Sequence, residues 1–168
     1  MKLLGTINPE GITEEEAQGF ELRHAVRAVV LDAEGRVAIL HVQKRGYHKI
    51  PGGGIESLEE VIAALRRECL EEIGCEIEVG SEIGEIVEYR REHQLRQISY
   101  GYRATLIGQK GTPAFTDKEK QDGFKAEWRT LAEAIKIFKE EEPEAYEGKF
   151  MSKRDLLFLT SCSRFPSN

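Results

Sequence analysis

The sequence predicts an α/β fold in which helices pack on a mixed β-sheet. Short runs rich in β-branched and aromatic residues, typical of strands, are interleaved with segments whose apolar residues recur at helical spacing. Four Ser/Thr-x-x-Glu/Asp patterns, each at the head of such a helical segment, indicate helix starts. The 168 residues fit one domain, spanning 1–168, and contain no evident linker.

The predicted strands share β-branched and aromatic residues and are bounded by turn signals. They are HAVRAVVL (24–31), RVAILHV (36–42), YHKI (47–50), CEIEVGSEIGEIVEYR (75–90), QISYGYRATLIG (97–108) and FKAEWRT (124–130). The first two form a hairpin across the turn DAEG, and REHQLR is the turn between the two long strands. A polar loop, residues 108–122, precedes the last strand.

The predicted helices begin at capping patterns, in which a hydroxyl and an acidic side chain bond each other's backbone N–H groups. One helix ends at Gly74, since glycine suits the left-handed position after a last turn. Two others cover LAEAIKIFKEEE (131–142) and LLFLTSCSRF (156–165). The four patterns are Thr13/Glu16, Ser57/Glu60, Thr130/Glu133 and Ser152/Asp155.

Composition and charge restrict the class of partner. Hydrophobic residues make up 40% and charged residues 32% of the chain, the balance of an ordinary globular protein. The formal net charge of -6 argues against a broad basic face for duplex nucleic acid. No apolar run approaches the roughly 20 residues that span a bilayer, and no signal peptide is evident. We expect a soluble protein with neither a duplex nucleic acid nor a membrane as partner.

The three cysteines, Cys69, Cys75 and Cys162, form a sparse and odd set without metal-ligand spacing. Such a set is typical of a reducing compartment, which predicts a cytoplasmic protein. Each thiol is expected to act as a small buried hydrophobic group.

The helix that ends at Gly74 carries three close carboxylates, Glu68, Glu71 and Glu72. At about 100° per residue they occupy one band beside the apolar stripe. Like charges at this spacing repel by about 0.2–0.5 kcal/mol per pair, so Glu72→Gln is expected to hold or slightly raise the melting temperature of the metal-free protein. The band alone allows two interpretations, a solvated acidic face or oxygen ligands for a hard cation such as Mg²⁺.

Three glycines, Gly52, Gly53 and Gly54, directly precede this helix. Glycine allows close backbone approach and positive φ, and a helix N-terminus favours anions such as phosphate. The alternative is a tight turn from strand to helix. Glycines, helix and acidic band together predict a site for a metal-bound diphosphate.

The segment from Gly53 to Cys75 resembles the Nudix box. The fixed positions of that signature are held here by Gly53, Glu59, Arg67, Glu68, Glu71, Glu72 and Gly74. The two bulky apolar positions differ mildly, because cysteines stand there. The resemblance implies a Nudix-type α/β/α sandwich with a mixed β-sheet, and an enzyme that hydrolyses a nucleoside diphosphate linked to another moiety, X.

The resemblance also implies a divalent metal as cofactor, Mg²⁺ with Mn²⁺ as a substitute. Its implied ligands are Glu68, Glu71 and Glu72 with the backbone carbonyl of Gly52. Glu68 and Glu72 are expected to serve catalysis as ligands of this metal.

Two more box residues have implied supporting roles, and the glycines an expected one. Arg67, a further catalytic residue, would hold a glutamate by a charge-assisted hydrogen bond, while Glu59 would support the loop. Gly53 and Gly54 are expected to contact the substrate phosphates.

Outside the box, the sequence offers a general base and two substrate contacts. Some Nudix enzymes take the base from a loop before the last strand, here PAFTDKEKQDGFKAEW. Glu119 is the preferred base because it is long and lies mid-loop, and Asp122 is the alternative. Arg45 and His48 are expected to reach the phosphates or the nucleobase, against the alternative of an exposed strand end.

The expected substrate is a small nucleotide, and elimination favours a nucleoside triphosphate or a modified nucleotide. Members specific for ADP-ribose often carry a proline about fifteen residues past the box, and none stands near Arg90. The acidic balance disfavours an RNA-processing hydrolase. The main alternative is a non-catalytic Nudix-fold module that senses a nucleotide or binds a protein. The sequence is compatible with a homodimer.

Overall fold

The computed structural model describes residues 1–162, in which strands and helices are interleaved. The strands are β1 (Leu3–Ile7), β2 (Glu21–Leu31), β3 (Arg36–Val42), β4 (Tyr47–Lys49), β5 (Glu76–Arg90), β6 (Leu95–Ile107) and β7 (Phe124–Thr130). The helices are α1 (Glu14–Ala17), α2 (Val61–Ile73), α3 (Asp117–Asp122), α4 (Leu131–Glu140) and α5 (Tyr146–Cys162). None of these helices is long and apolar enough to cross a membrane.

The seven strands form one mixed sheet. Its order is β1-β5-β6-β2-β3-β4, and β7 pairs with β3. β1 runs parallel to β5 and β2 runs parallel to β6, whereas the other pairs are antiparallel. The six predicted strands correspond to β2 through β7. The additional strand, β1, was missed because its partner is distant in the sequence.

Helices cover both faces of this sheet. Successive residues of a strand point to opposite sides, and apolar residues of β2 and β3 enter a core on each side. One core joins β2 and β3 to α4 and α5 through Val29, Ile39 and Phe158. The other core joins the same strands to α2 through Val26 and Leu65. The α/β/α arrangement predicted for the chain is confirmed.

The glycine segment occupies an opening in the sheet. β2 and β3 pair at Leu31 and Val37 and then diverge. Gly52 has a φ of 135°, and a Cβ there would overlap the carbonyl of Val26, so the segment lies tight against β2. Backbone hydrogen bonds join Val26 N to Gly53 O at 2.9 Å, Ala28 N to Pro51 O at 2.9 Å and Ile55 N to His24 O at 3.0 Å.

The capping boxes at Thr13 and Thr130 are confirmed at the starts of α1 and α4. The box at Ser57 is wrong, because α2 begins only at Val61 and its N-cap makes no side-chain hydrogen bond. Leu58 has a φ of 66°, a left-handed conformation that excludes it from a helix. The predicted end of α2 at a left-handed glycine is confirmed.

Two predictions in the last third of the chain are wrong. Ser152 and Asp155 do not start a helix, because α5 begins at Tyr146 and both side chains are buried within it. The predicted loop 108–122 contains α3, which a capping box at Thr116 begins. Residues 163–165 of the last predicted helix lie outside the described range.

Candidate active site

A cleft of about 360 Å³ opens beside the glycine segment, where β2, α2, α3 and α5 meet. It brings together most of the residues that the sequence singled out, namely Arg45, Gly52, Gly53, Gly54, Glu68, Glu72 and Glu119. Arg67, Glu71 and His48 are not among the residues that line this cleft.

Glu72 is buried at the base of the cleft and binds the glycine segment. Its Oε2 accepts a hydrogen bond from Gly52 N at 2.8 Å, and its Oε1 lies 2.5 Å from Lys49 Nζ. Lys49 also donates to the Gly52 carbonyl at 3.0 Å. Burial raises the pKa of Glu72, while the Lys49 ammonium and the Gly52 N–H oppose that rise. The negative charge of Glu72 is therefore balanced within the fold by the Lys49 ammonium and the Gly52 N–H.

The three box carboxylates differ in exposure, although a helical wheel places them in one band. Glu72 is 2% exposed, whereas the side chain of Glu71 is 46% exposed. Glu68 lies directly against Gly53, where a Cβ would overlap its carboxylate. The glycines at 52 and 53 thus bring backbone against two of the three carboxylates.

Arg67 holds several groups of the box together. Its Nε and Nη2 donate to both oxygens of Glu59 at 2.8 and 2.9 Å, and its Nη1 donates to Glu68 at 2.9 Å. It also reaches the Gly54 carbonyl at 3.1 Å and Glu71 at 3.3 Å. The hydrogen bonds from Arg67 hold the pKa of Glu59 at about 2. Arg67 therefore fixes α2 to the loop that precedes it.

Lys49 shows where a cation can lie in this site. Its ammonium is a cation on which two implied metal ligands, Glu72 and the Gly52 carbonyl, already converge. No three acidic, histidine or cysteine side chains of residues 1–162 are arranged to hold a metal ion. These two oxygens suit a cation, and in this structure the Lys49 ammonium occupies the position between them.

A family model for the NUDIX domain matches residues 21–149. The chain belongs to the NUDIX family. It is accordingly a hydrolase, and the predicted Nudix-type fold is confirmed. The comparison with curated proteins finds no match.

Solved NUDIX-fold structures resemble this chain at low sequence identity. A MutT protein from Methanosarcina mazei has 17% identity and a TM-score of 0.56, covering 81% of this chain and 94% of that chain. An ADP-ribose pyrophosphatase from Streptococcus suis has 17% identity and a TM-score of 0.55, covering 86% and 94%. A NUDIX hydrolase from Nitrosomonas europaea has 16% identity and a TM-score of 0.59, covering 79% and 88%. At these identities the likeness shows the fold alone.

Outside the NUDIX box, α3 contributes Lys118, Glu119 and Asp122 to the lining of the cleft. Glu119 lines the cleft, and its carboxylate accepts hydrogen bonds from the N–H and hydroxyl of Thr116 at 2.7 and 2.8 Å. Asp122 accepts a hydrogen bond from Arg45 Nε at 3.1 Å. Arg45 Nη1 also lies 3.8 Å from Glu147. Arg45 therefore sits at the rim with acidic partners.

His48 points away from the cleft. Its backbone N–H and its Nδ1 both contact Glu141, at 3.0 and 2.9 Å, and its ring stacks on His41 at 4.3 Å between centroids. The alternation of β4 explains the difference, because Tyr47 and Lys49 line the cleft on the other face.

Four cationic residues of the cleft were missed by the sequence prediction, namely Arg23, Arg27, Lys49 and Lys118. A signal was available in the segment RHAVR, where two arginines four residues apart share one face of a strand that continues as the apolar run AVVL. The pairing of Lys49 with Glu72 has no local signal, because it depends on how β4 packs against α2.

Proposed function

We propose that this NUDIX protein is a Mg²⁺-dependent pyrophosphohydrolase that cleaves a nucleoside diphosphate linked to another group, X. The observation that carries the proposal is the convergence of Glu72 and the Gly52 carbonyl on the Lys49 ammonium. Oxygens that already surround one cation suit a second, hard cation. Glu68 and Glu71 are the further proposed ligands, and Mn²⁺ is expected to substitute.

Mg²⁺ bound there would act as a Lewis acid and neutralise the negative charge of the diphosphate oxygens. The chain supplies the positioning. Arg67 bonds Glu68 and the Gly54 carbonyl, so the carboxylate and the loop keep one relative position. Glu119 is proposed as the general base that takes a proton from the attacking water, and Arg45 as a contact to substrate at the rim.

The proposed substrate is a nucleoside triphosphate or a modified nucleotide. The cationic lining formed by Arg23, Arg27 and Lys49 supports a polyanionic ligand. Two of the similar structures are named for MutT and for ADP-ribose pyrophosphatase, and both names point to nucleotide chemistry. The three cysteines are free and buried, which supports a reducing, cytoplasmic location.

A hydrolysis screen tests this proposal. Nucleoside triphosphates, dinucleotides and sugar nucleotides are incubated with the protein and Mg²⁺, and release of phosphate and pyrophosphate is followed. We expect turnover with Mg²⁺ or Mn²⁺ and its loss with a chelator. Full activity in metal-free buffer would overturn the metal requirement, and no turnover of any nucleotide would overturn the substrate class.

A further inference from the structure

Arg27 carries a buried positive charge that the fold does not pair. Its side chain lines the cleft and the residue is 3% exposed. Its Nη1 donates to the carbonyls of Val26 at 2.6 Å and Gly53 at 3.2 Å, while its Nε is buried without a hydrogen-bond partner. Within residues 1–162, no carboxylate forms an ion pair with it. Burial, then repulsion from Arg154, lowers its pKa to about 9, and the attraction of Asp155, Glu72 and Glu88 opposes this shift only in part.

Arg23 lies four residues before Arg27 on the same face of β2 and lines the same cleft, also without an ion pair in the described part of the chain. Its Nη1 donates to Gln97 Oε1 at 3.2 Å. A Cβ on Gly54 would come within 2.9 Å of its Nη2, so the guanidinium passes directly along the glycine segment. The residue as a whole is exposed, although partial burial of the guanidinium, then repulsion from Arg90 and Arg154, lowers its pKa.

The carboxylates near this wall are bonded to other cations. Glu88 is shared by Arg90 at 2.8 Å and Arg154 at 3.4 Å, and Asp155 bonds Arg154 at 2.7 Å. Arg90 and Arg154 are thus paired with carboxylates, whereas Arg23 and Arg27 form no ion pair within residues 1–162. The other nearby carboxylates, Glu68 and Glu72, are already bonded to Arg67 and Lys49.

We propose that Arg23 and Arg27 form a subsite for a terminal phosphoryl group of the substrate, beyond the diphosphate held at the carboxylates. A terminal phosphoryl group carries about −1.5 to −2 charges near pH 7, which suits two guanidinium groups that form no ion pair with a carboxylate. One planar guanidinium group can donate two parallel hydrogen bonds to two oxygens of the same phosphate. The subsite selects a nucleoside triphosphate over a nucleoside diphosphate joined to a neutral sugar. This selection rests on the proposed function, whereas the anion binding does not.

Binding without turnover tests the subsite. Inorganic tripolyphosphate is titrated calorimetrically in EDTA into the wild-type protein, Arg23→Gln and Arg27→Lys. Arg129→Gln is the matched control, since Arg129 is exposed on β7, outside the cleft, and pairs with Glu127. We expect the Kd to rise about tenfold or more in the two cleft variants and to stay unchanged in the control. Wild-type affinity in folded cleft variants would overturn the subsite.

Selectivity gives the second measurement. The preference for ATP over ADP-ribose, as a ratio of kcat/KM, should fall about tenfold in both cleft variants and remain in Arg129→Gln. If no nucleotide is hydrolysed but the variants lose tripolyphosphate binding, the proposed function fails while the anion subsite stands. If hydrolysis persists and tripolyphosphate binding is equal in all four proteins, the subsite fails alone. Should Arg27→Lys not fold, Arg23→Gln decides, because its side chain is exposed.

Discussion

On the α2 wall of the cleft, Glu72 is buried and receives the Lys49 ammonium and the Gly52 N–H. On the β2 wall, Arg27 is equally buried but no carboxylate of residues 1–162 pairs with it. A buried charge without a counter-ion is costly, whereas a paired one is held by the fold itself. On the proposed function, a metal at the first wall would replace the Lys49 ammonium, while the proposed subsite at the second wall would take an anion from the substrate.

Breaking the paired wall gives the largest expected effect. Glu72→Gln keeps the side-chain size but removes the counter-charge of buried Lys49, so we expect the metal-free protein to lose about 3–5 kcal/mol of unfolding free energy. We expect kcat to fall at least about a hundredfold, or about 2.7 kcal/mol of barrier. This reverses the stability expectation from the helical wheel, which shows repulsion among glutamates but not Lys49.

Urea unfolding and steady-state kinetics measure these effects. Glu71→Gln is the matched stability control, because that side chain is half-exposed and its loss should cost less than about 1 kcal/mol. Equal stability losses in the two variants would contradict the difference between a buried pair and an exposed one.

The pH dependence of the unfolding free energy tests the pairing of Glu88, a carboxylate near the β2 wall. Burial alone would raise the pKa of Glu88, but Arg154 and Arg90 hold it at about 2, below its ordinary value of 4.5. A depressed carboxyl pKa adds stability above pH 4.5, and this contribution is lost as pH falls from 4.5 toward 2. We expect this loss to reach roughly 3 kcal/mol at most. Unfolding measured across this pH range should show a shallower acid slope for Glu88→Gln; an unchanged slope would contradict the assignment.

A smaller effect is expected from the α3 wall. If Glu119 is the general base, Glu119→Gln should lower kcat about tenfold, or about 1.4 kcal/mol, and remove the acid limb of the pH profile. Asp117→Asn is the control, since this carboxylate of the same helix is 96% exposed. Asp122→Asn tests the alternative base. A normal rate and profile in both Glu119→Gln and Asp122→Asn would place the base elsewhere.

The sequence was sufficient for the box and most of the fold because those signals are local. The glycines, Arg67 and the helix glutamates have a fixed spacing in the sequence. Each strand pattern, and each of the two confirmed capping boxes, depends only on residues that are close in the sequence. The start of α2 failed because the left-handed Leu58 interrupts a pattern that looks like a cap.

The rest depends on packing between distant segments. Lys49 meets Glu72 only after β4 is folded against α2, and β1 exists through its parallel pairing with β5. Arg27 is visible in the sequence, but its position under the glycines follows from the divergence of β2 and β3. His48 was predicted near the substrate because its strand leads to the glycines, yet it lies on the opposite face.

Mn²⁺ binding, followed by electron paramagnetic resonance of the free ion, is the most direct test of the cation position formed by Gly52 and Glu72. Lys49→Met removes the tethered cation but keeps an unbranched chain, so the Kd for Mn²⁺ should fall at least about tenfold, or about 1.4 kcal/mol. Lys125→Met, an exposed change on β7, should leave the Kd unchanged. An unchanged or weaker Mn²⁺ affinity in folded Lys49→Met would contradict the exchange of Lys49 for a metal.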